Sequence, residues 1–157
     1  MRQRSTLRVW TDAPAMRIVA DTNTVLSGLL WAGLPRRLLD LARNRTITLY
    51  TSPILLAELA EVIARDKFAR QVVASGLTAI ELVRDYERLA DIVDSQPLLE
   101  PACRDPDDDH VLACALAAQA SLIVSRDKDL LALHPYHGIP IVLAADALRR
   151  LDPKPAG

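Results

Sequence analysis

The stretch Arg17-Ile-Val-Ala-Asp-Thr-Asn-Thr-Val-Leu-Ser27 decides the fold, because it combines a short apolar run with a carboxylate at its end. Ile18, Val19 and Ala20 are too few for a helix and rich in β-branched residues, which predicts a buried strand. In open α/β sheets, ligands bind outside the carboxyl ends of the strands. Asp21 is therefore placed for chemistry if strands and helices alternate along the chain. The alternative is that Asp21 only caps the helix that follows.

Length and composition favour one α/β domain. The chain has 157 residues, half of them hydrophobic but only 4% aromatic, so its core must be aliphatic, as suits helices packed on a parallel sheet. The net charge of −1 provides no global attraction for nucleic acid, so phosphate binding needs a local patch. One helix is expected to point four arginines outward: Arg36, Arg37, Arg43 and Arg45. They form either an ordinary solvated face or, together with Lys128, a surface that binds a phosphate backbone.

The compartment is inferred from the cysteines and from the absence of targeting signals. Cys103 and Cys114 lack metal-type spacing, which indicates two buried thiols in a reducing cytosol. We find no apolar run long enough to span a membrane and no secretory signal, so we expect a cytoplasmic protein. Residues 1–15 are expected to be a poorly ordered extension unless Trp10 docks, residues 16–151 the domain, and residues 152–157 a tail.

Strand and helix patterns alternate along the rest of the chain. Strands are predicted at 18–20, 47–50, 92–93, 122–125 and 139–143, and helices begin near residues 25, 35, 53, 66, 78, 107, 127 and 144. In the helix after Thr78, the apolar stripe is expected to contain Ile80, Val83, Leu89 and Ile92. The class is α/β with a mostly parallel sheet.

Further acids stand in positions that a cap or a solvated face does not fully explain. Glu58 borders the apolar stripe of its helix and has no cation four residues later, whereas Glu61 precedes Arg65 by four and resembles an ordinary solvated pair. Asp127 directly follows the strand at 122–125, although a capping role is equally open there.

A run of acids marks the start of the helix near residue 107. Capping and the helix dipole explain one or two of Asp105, Asp107, Asp108 and Asp109. Val111 and Leu112 follow Asp108 by three and four residues, so Asp108 is expected to lie on the apolar face of this helix. Either Asp108 or Asp109 is expected to be functional.

The candidate metal ligands are Asp21, Glu58, Asp108 and Asp127. If they converge, four carboxylates form an oxygen-only site suited to Mg²⁺ or Mn²⁺. Asn23 and the hydroxyls of Thr22 and Ser125 are candidates to orient a water or a phosphate oxygen. The chemistry implied is metal-dependent hydrolysis of a phosphodiester.

Four blocks of sequence together resemble the PIN-domain nucleases, and in particular the VapC-like toxin components of bacterial toxin–antitoxin pairs. The blocks are Val19-Ala-Asp-Thr-Asn-Thr-Val25, Ser52-Pro-Ile-Leu-Leu-Ala-Glu-Leu59, Arg104-Asp-Pro-Asp-Asp-Asp-His-Val-Leu-Ala113 and Ile123-Val-Ser-Arg-Asp-Lys-Asp-Leu-Leu131. The resemblance implies a five-stranded parallel sheet between helices in a three-layer α/β/α fold, and a Mg²⁺- or Mn²⁺-dependent ribonuclease.

The resemblance also implies roles for single residues and partners for the chain. The family's acids fall on Asp21, Glu58, Asp127 and either Asp108 or Asp109, with a supporting Asn23, and Ser125 replaces the more common Thr. Such toxins cut RNA, are neutralised by a cognate antitoxin and commonly form homodimers.

Two other functions compete with the nuclease. One is a catalytically inactive PIN-fold module that only binds RNA or protein. The other is a receiver-type domain, which also gathers acids around magnesium but has no use for Glu58 in the middle of a helix.

Overall fold

The computed structural model describes residues 15–151 as a parallel sheet with helices on both faces. The strands are β1 (Met16–Ala20), β2 (Ile47–Thr51), β3 (Asp91–Ile92), β4 (Leu122–Val124) and β5 (Ile141–Val142). The helices are α1 (Thr22–Leu30), α2 (Leu34–Arg43), α3 (Pro53–Ile63), α4 (Ala69–Ala74), α5 (Ala79–Leu89), α6 (Pro106–Ala118), α7 (Lys128–Leu131) and α8 (Ala144–Leu151), with a 3-10 turn at Asp66–Phe68. Residues 1–14 and 152–157, which include most of the predicted extension and the tail, lie outside the described residues.

The five strands are all parallel and follow the order β3-β2-β1-β4-β5. The order reverses between β1 and β4, so the crevice outside their carboxyl ends is the expected ligand site of such a sheet. This order also differs from the 2-1-3-4-5 arrangement of receiver domains, which argues against the receiver-type alternative.

The core lies in two layers, one on each face of the sheet. On one face, Ile18 and Ala20 of β1 pack with apolar residues of α1, α2, α3, α5 and α8. On the other face, Val19 packs with α6 and with Leu130 of α7. Because neighbouring residues of a strand point to opposite faces, this apolar run supplies both layers. The expected three-layer α/β/α fold with a five-stranded sheet is confirmed.

Local signals explain where several helices begin. Ser52 caps α3 by accepting the backbone N–H of Leu55, and Pro53 occupies the first turn. Thr78 and Glu81 form a reciprocal capping box at the start of α5. The Ser52 cap starts α3 directly after β2, and so carries Glu58 to the functional side of the sheet.

Three sequence-based expectations need correction. The helix predicted to begin near residue 66 is instead a 3-10 turn, Asp66–Phe68, followed by the short α4. In α5 the predicted Val83 and Leu89 are half-buried against the core, but Ile80 is exposed and the fully buried residues are Leu82 and Tyr86, because the packed face is rotated partly away from the predicted stripe. Arg36 does not point outward: its guanidinium donates to the carbonyls of Gly28 and Leu29.

The structure shows the burial of the two cysteines and the length of the helices. Cys114 is buried, while Cys103 is only half-buried, and neither forms a disulfide within residues 15–151. Over the same part of the chain, every helix is too short or too polar to cross a membrane.

Candidate active site

Asp21 stands between the end of β1 and the start of α1, and it is both a cap and a site residue. Its Oδ1 accepts the backbone N–H of Thr24 at 2.9 Å, which caps α1. Its side chain is almost fully buried, with 5% exposed. The two interpretations that the sequence left open are therefore compatible, since the cap fixes the orientation of the carboxylate at the cleft.

Ser125 joins the ends of β1 and β4. Its hydroxyl donates to Asp21 Oδ2 at 2.5 Å, and its oxygen accepts the backbone N–H of Asp127 at 2.9 Å. Asp127 in turn caps α7, since its Oδ1 accepts the N–H groups of Asp129 and Leu130. One buried hydroxyl thus holds two candidate acids in fixed positions on neighbouring strands.

Glu58 reaches the same region from the middle of α3. The hydroxyl of Thr22, the residue after Asp21, donates to Glu58 Oε1 at 2.8 Å. This hydrogen bond fixes the orientation of the Glu58 carboxylate. Asn23 is exposed at the mouth of the cleft.

The structure separates Asp108 from Asp109. Asp109 Oδ1 accepts two backbone N–H groups, from Ala102 at 3.1 Å and from Cys103 at 2.8 Å, so it anchors the loop that precedes α6. Asp108 instead lines the cleft. Of the two alternatives, Asp108 is the one whose position matches the site.

Asp108 lies close to two other aspartates. One carboxylate oxygen each from Asp108, Asp127 and Asp129 lie within 4.8 Å of one another, and we call these residues the aspartate cluster. Asp129 also pairs with Arg104 at 3.3 Å. The sequence offered no signal for Asp129 beyond its position at the start of a short helix. Asp21 and Glu58 line the same cleft without belonging to this cluster.

The cleft, about 280 Å³ in volume, contains more charged residues than the sequence suggested. Its walls also carry Glu61, Arg65, Asp105 and Asp107. Glu61 and Arg65 do not form the ion pair that their spacing predicts within residues 15–151. Both side chains instead face the cleft, because α3 ends at its rim.

Crowding perturbs two of the carboxyls. Burial, and then the carboxylates of Asp127, Asp105, Asp21 and Asp129, raise the pKa of Asp108 to about 7. Burial also raises the pKa of Glu58 to about 7; the hydrogen bond from Thr22 opposes this rise and nearby Asp107 adds to it. Carboxyls that resist ionisation beside other carboxylates are those whose charge a bound cation would relieve.

The donor set fits a hard divalent cation. The aspartate cluster offers only carboxylate oxygens, at a spacing that one ion can bridge, and its histidine neighbours take no part. The cluster therefore contains two of the four predicted ligands, Asp108 and Asp127, and Asp129 takes a third place. Asp21 and Glu58 line the cleft outside this cluster.

A search against protein-family models matches residues 17–129 to the PIN domain. The chain belongs to the PIN domain family. This membership, together with the acidic cleft, indicates nuclease chemistry in general terms. Each of the four sequence blocks that resemble this family contributes an acid to the cleft.

Two single proteins are also similar to this chain. An uncharacterized protein of Methanocaldococcus jannaschii, MJ1680, is 29% identical over 119 residues, which are 75% of each chain. A chain in the crystal structure of VapBC2 from Rickettsia felis, bound to a DNA fragment from its promoter, superposes with a TM-score of 0.53. That match covers 80% of this chain and 97% of the other at 16% identity, so it is a likeness of fold.

Proposed function

We propose that this PIN domain is a Mg²⁺- or Mn²⁺-dependent endoribonuclease. The observation that carries the proposal is the convergence of carboxylates from four separate segments, after β1, on α3, on α6 and after β4, in one cleft. Capping explains the positions of Asp21 and Asp127, but no structural role explains why Asp108 is half-buried close to four other acids.

The chain's own residues would hold the ion and arrange the reacting groups. Asp108, Asp127 and Asp129 are the candidate ligands, and Asp21 and Glu58 complete the negative cleft around them. A divalent cation, when bound, supplies positive charge that stabilises the charge developing on phosphodiester oxygens during hydrolysis. Ser125 and Thr22 keep Asp21 and Glu58 oriented, and the exposed amide of Asn23 is available to a phosphate oxygen or a water.

The enzymatic proposal has a direct test. The purified chain is incubated with labelled single-stranded RNA in Mg²⁺, in Mn²⁺ and in EDTA. We expect cleavage that requires the metal and that Asp108→Asn reduces by about a hundredfold or more, since a lost ligand removes several kcal/mol of transition-state stabilisation. Asp94→Asn, an exposed aspartate outside the cleft, is the matched control and should cleave normally.

Absence of cleavage would favour the other function that the fold allows. If the unsubstituted chain binds RNA but leaves it intact in both metals, the domain is a binding module and not a nuclease. The crowding of acids in the cleft favours the enzyme, because a module that only binds RNA gains nothing from a concentration of carboxylates at the binding cleft.

We further propose that the ribonuclease is the toxin of a toxin–antitoxin pair in the cytoplasm. Support comes from the fold shared with a chain of the VapBC2 complex and from the sequence blocks that resemble VapC-like toxins. Expression should arrest growth and cut cellular RNA, Asp108→Asn should do neither, and co-expression of the neighbouring gene product should restore growth. Growth arrest with intact RNA would overturn the nuclease toxin.

The proposed partners also include a second copy of the chain. Sedimentation of the purified protein should show a homodimer, and addition of the antitoxin should give a larger complex with no ribonuclease activity. The antitoxin is expected to cover the acidic cleft, so binding should weaken when the cleft is filled with Mn²⁺.

A further inference from the structure

Two aromatic residues lie together on the surface, one at the end of α1 and one shortly after α3. Trp31 and Phe68 meet edge to face with their ring centroids 6.2 Å apart. Trp31 is 42% exposed, and Phe68 is half-buried against the core. Trp31 directly follows α1, and Phe68 ends the 3-10 turn that follows α3. We call this pair, with Lys67, the aromatic platform.

The exposure of this platform is unusual for this chain. The protein has only six aromatic residues, two Trp, three Tyr and one Phe. Among residues 15–151, Tyr50 and Tyr86 are buried and Tyr136 is half-buried, so Trp31 is the one exposed aromatic side chain in this range. Core packing accounts for the partly buried Phe68 but not for the indole that stands over it.

Positive charge surrounds the platform. The Lys67 ammonium lies over the Phe68 ring, 5.2 Å from its centroid. Lys67 and Arg70 also line a depression of about 440 Å³ next to it. Arg65, Lys67 and Arg70 outnumber the single acid of this segment, Asp66, so the segment carries a net positive charge.

Arg65 connects the platform with the cleft. It lines the acidic cleft, and its carbonyl accepts the backbone N–H of Phe68 at 3.0 Å. Only one 3-10 turn, about 6 Å in rise, separates the cleft wall from the aromatic ring. Arg65 also has no ion-pair partner within the described residues, so its guanidinium is free to meet an anion.

We propose that the aromatic platform stacks a nucleobase of single-stranded RNA that flanks the cleaved phosphodiester, with Arg65 and Lys67 contacting the intervening backbone. The proposal rests on the proposed ribonuclease function. Single-stranded nucleic acid is bound in this way elsewhere, on aromatic faces beside a basic track. It also answers a physical difficulty: an acidic cleft repels a polyanion, so the substrate needs attraction from a neighbouring surface.

Intrinsic fluorescence tests the stacking directly. The chain has two tryptophans, so Trp10→Phe leaves Trp31 as the sole indole. The full chain with this substitution is titrated, in Mg²⁺ and with Asp108→Asn to prevent cleavage, with single-stranded RNA of about ten nucleotides. We expect Trp31 emission to be quenched by the RNA and not by a phosphodiester strand of equal length without bases.

Affinity measurements separate stacking from charge. Trp31→Leu, which keeps an apolar side chain, should weaken RNA binding about 5- to 100-fold, the range that the loss of one stacked base corresponds to. It should leave binding of the abasic strand unchanged. Lys67→Gln should lower the slope of log K against log salt concentration by about 1, with the quenching retained. Trp10→Leu is the matched tryptophan control and should bind as the unsubstituted chain does.

The following outcomes would overturn the proposal. Equal quenching by RNA and by the abasic strand, or normal RNA affinity of Trp31→Leu, would exclude stacking while metal-dependent cleavage by the unsubstituted chain leaves the nuclease intact. Normal RNA binding together with lost self-association in Trp31→Leu would assign the platform to a contact between two copies. Absence of both RNA binding and cleavage by the unsubstituted chain would overturn the stacking and the nuclease together.

Discussion

The hydroxyl of Ser125 donates a hydrogen bond of 2.5 Å to Asp21, across 104 positions of sequence. Both residues follow strands that are neighbours at the reversal point of the sheet. Ser125 is fully buried and also accepts the backbone N–H of Asp127. This one side chain therefore links the geometry of the sheet edge to the geometry of two candidate acids.

Ser125→Ala is expected to lower the free energy of unfolding by about 1–3 kcal/mol. The substitution leaves a carboxylate oxygen of Asp21 and the N–H of Asp127 without their partner in a buried setting. Urea unfolding followed by circular dichroism measures the change. Ser121→Ala, at the opposite end of β4, removes only a long and exposed hydrogen bond, in which its hydroxyl accepts the N–H of Arg17 at 3.3 Å, so it should change the free energy of unfolding by less than about 0.5 kcal/mol.

If both serine variants lose the same free energy of unfolding, the hydrogen bonds of Ser125 contribute no more to stability than those of a surface serine. The metal response adds a second readout, because Ser125→Ala should also weaken Mn²⁺ binding about 10- to 100-fold by releasing the second-sphere contacts of the site.

The raised pKa values of Glu58 and Asp108, both about 7, predict that stability depends on pH. In the folded state these carboxyls hold protons that the unfolded chain releases at its lower, ordinary values near 4. Without metal, the protein should therefore be most stable at low pH within this window and lose stability as the pH rises from about 4 to about 7. Thermal unfolding in EDTA across this range measures the effect.

A divalent cation should reverse the trend. Mg²⁺ or Mn²⁺ binds the ionised carboxylates, so it should raise the melting temperature more at about pH 8 than at about pH 5. Asp108→Asn should weaken both dependences and leave the part that Glu58 contributes, whereas Asp94→Asn should leave them as in the unsubstituted chain. A melting temperature in EDTA that increases with pH over the whole window would contradict the burial of these acids.

Asp108 and Asp109 should give opposite results when each is replaced by Ala. Asp109→Ala removes the acceptor of two loop N–H groups, so it should lower the free energy of unfolding by about 1–3 kcal/mol. Asp108→Ala removes a carboxyl crowded by other acids, so metal-free stability should stay or increase while cleavage falls about a hundredfold or more.

Unfolding curves and RNA cleavage rates on the same two proteins test this contrast. If Asp109→Ala loses activity without loss of stability, and Asp108→Ala loses stability without loss of activity, the roles are exchanged and the geometric assignment is wrong.

The sequence predicted the strands and most of the helices because the signals for them are local. The apolar run before Asp21 and the Ser52-Pro53 start of α3 each lie within a few residues. The position of Asp21 and Asp127 after neighbouring parallel strands was predictable in the same way, since parallel strands bring their carboxyl ends to one edge.

The remaining features depend on contacts between distant segments. Asp108 and Asp109 differ by only about 100° around α6, and what separates them is a loop that reaches Asp109 from residues 102 and 103. The approach of Asp129 to Asp108 and of Phe68 to Trp31 has no local signature either. These pairings follow from packing, which one-dimensional patterns do not record.

Arg36 and Arg37 are neighbours in the sequence but differ in their contacts. Arg36 donates to the carbonyls of Gly28 at 2.8 Å and of Leu29 at 3.0 Å, so it satisfies acceptors in the last turn of α1. Arg37 is exposed on α2. Arg36→Met should therefore lower the free energy of unfolding by about 1–2 kcal/mol and leave RNA affinity unchanged at permissive temperature.

Arg37→Met should leave stability within about 0.5 kcal/mol of the unsubstituted chain. Urea unfolding and RNA binding as a function of salt concentration, measured on both variants, distinguish the roles. A phosphate track along α2 would instead make both variants bind RNA more weakly and lower the salt slope by about 1 each. That result would contradict the assignment of Arg36 to the end of α1, because a guanidinium held by two backbone carbonyls is not available to a phosphate.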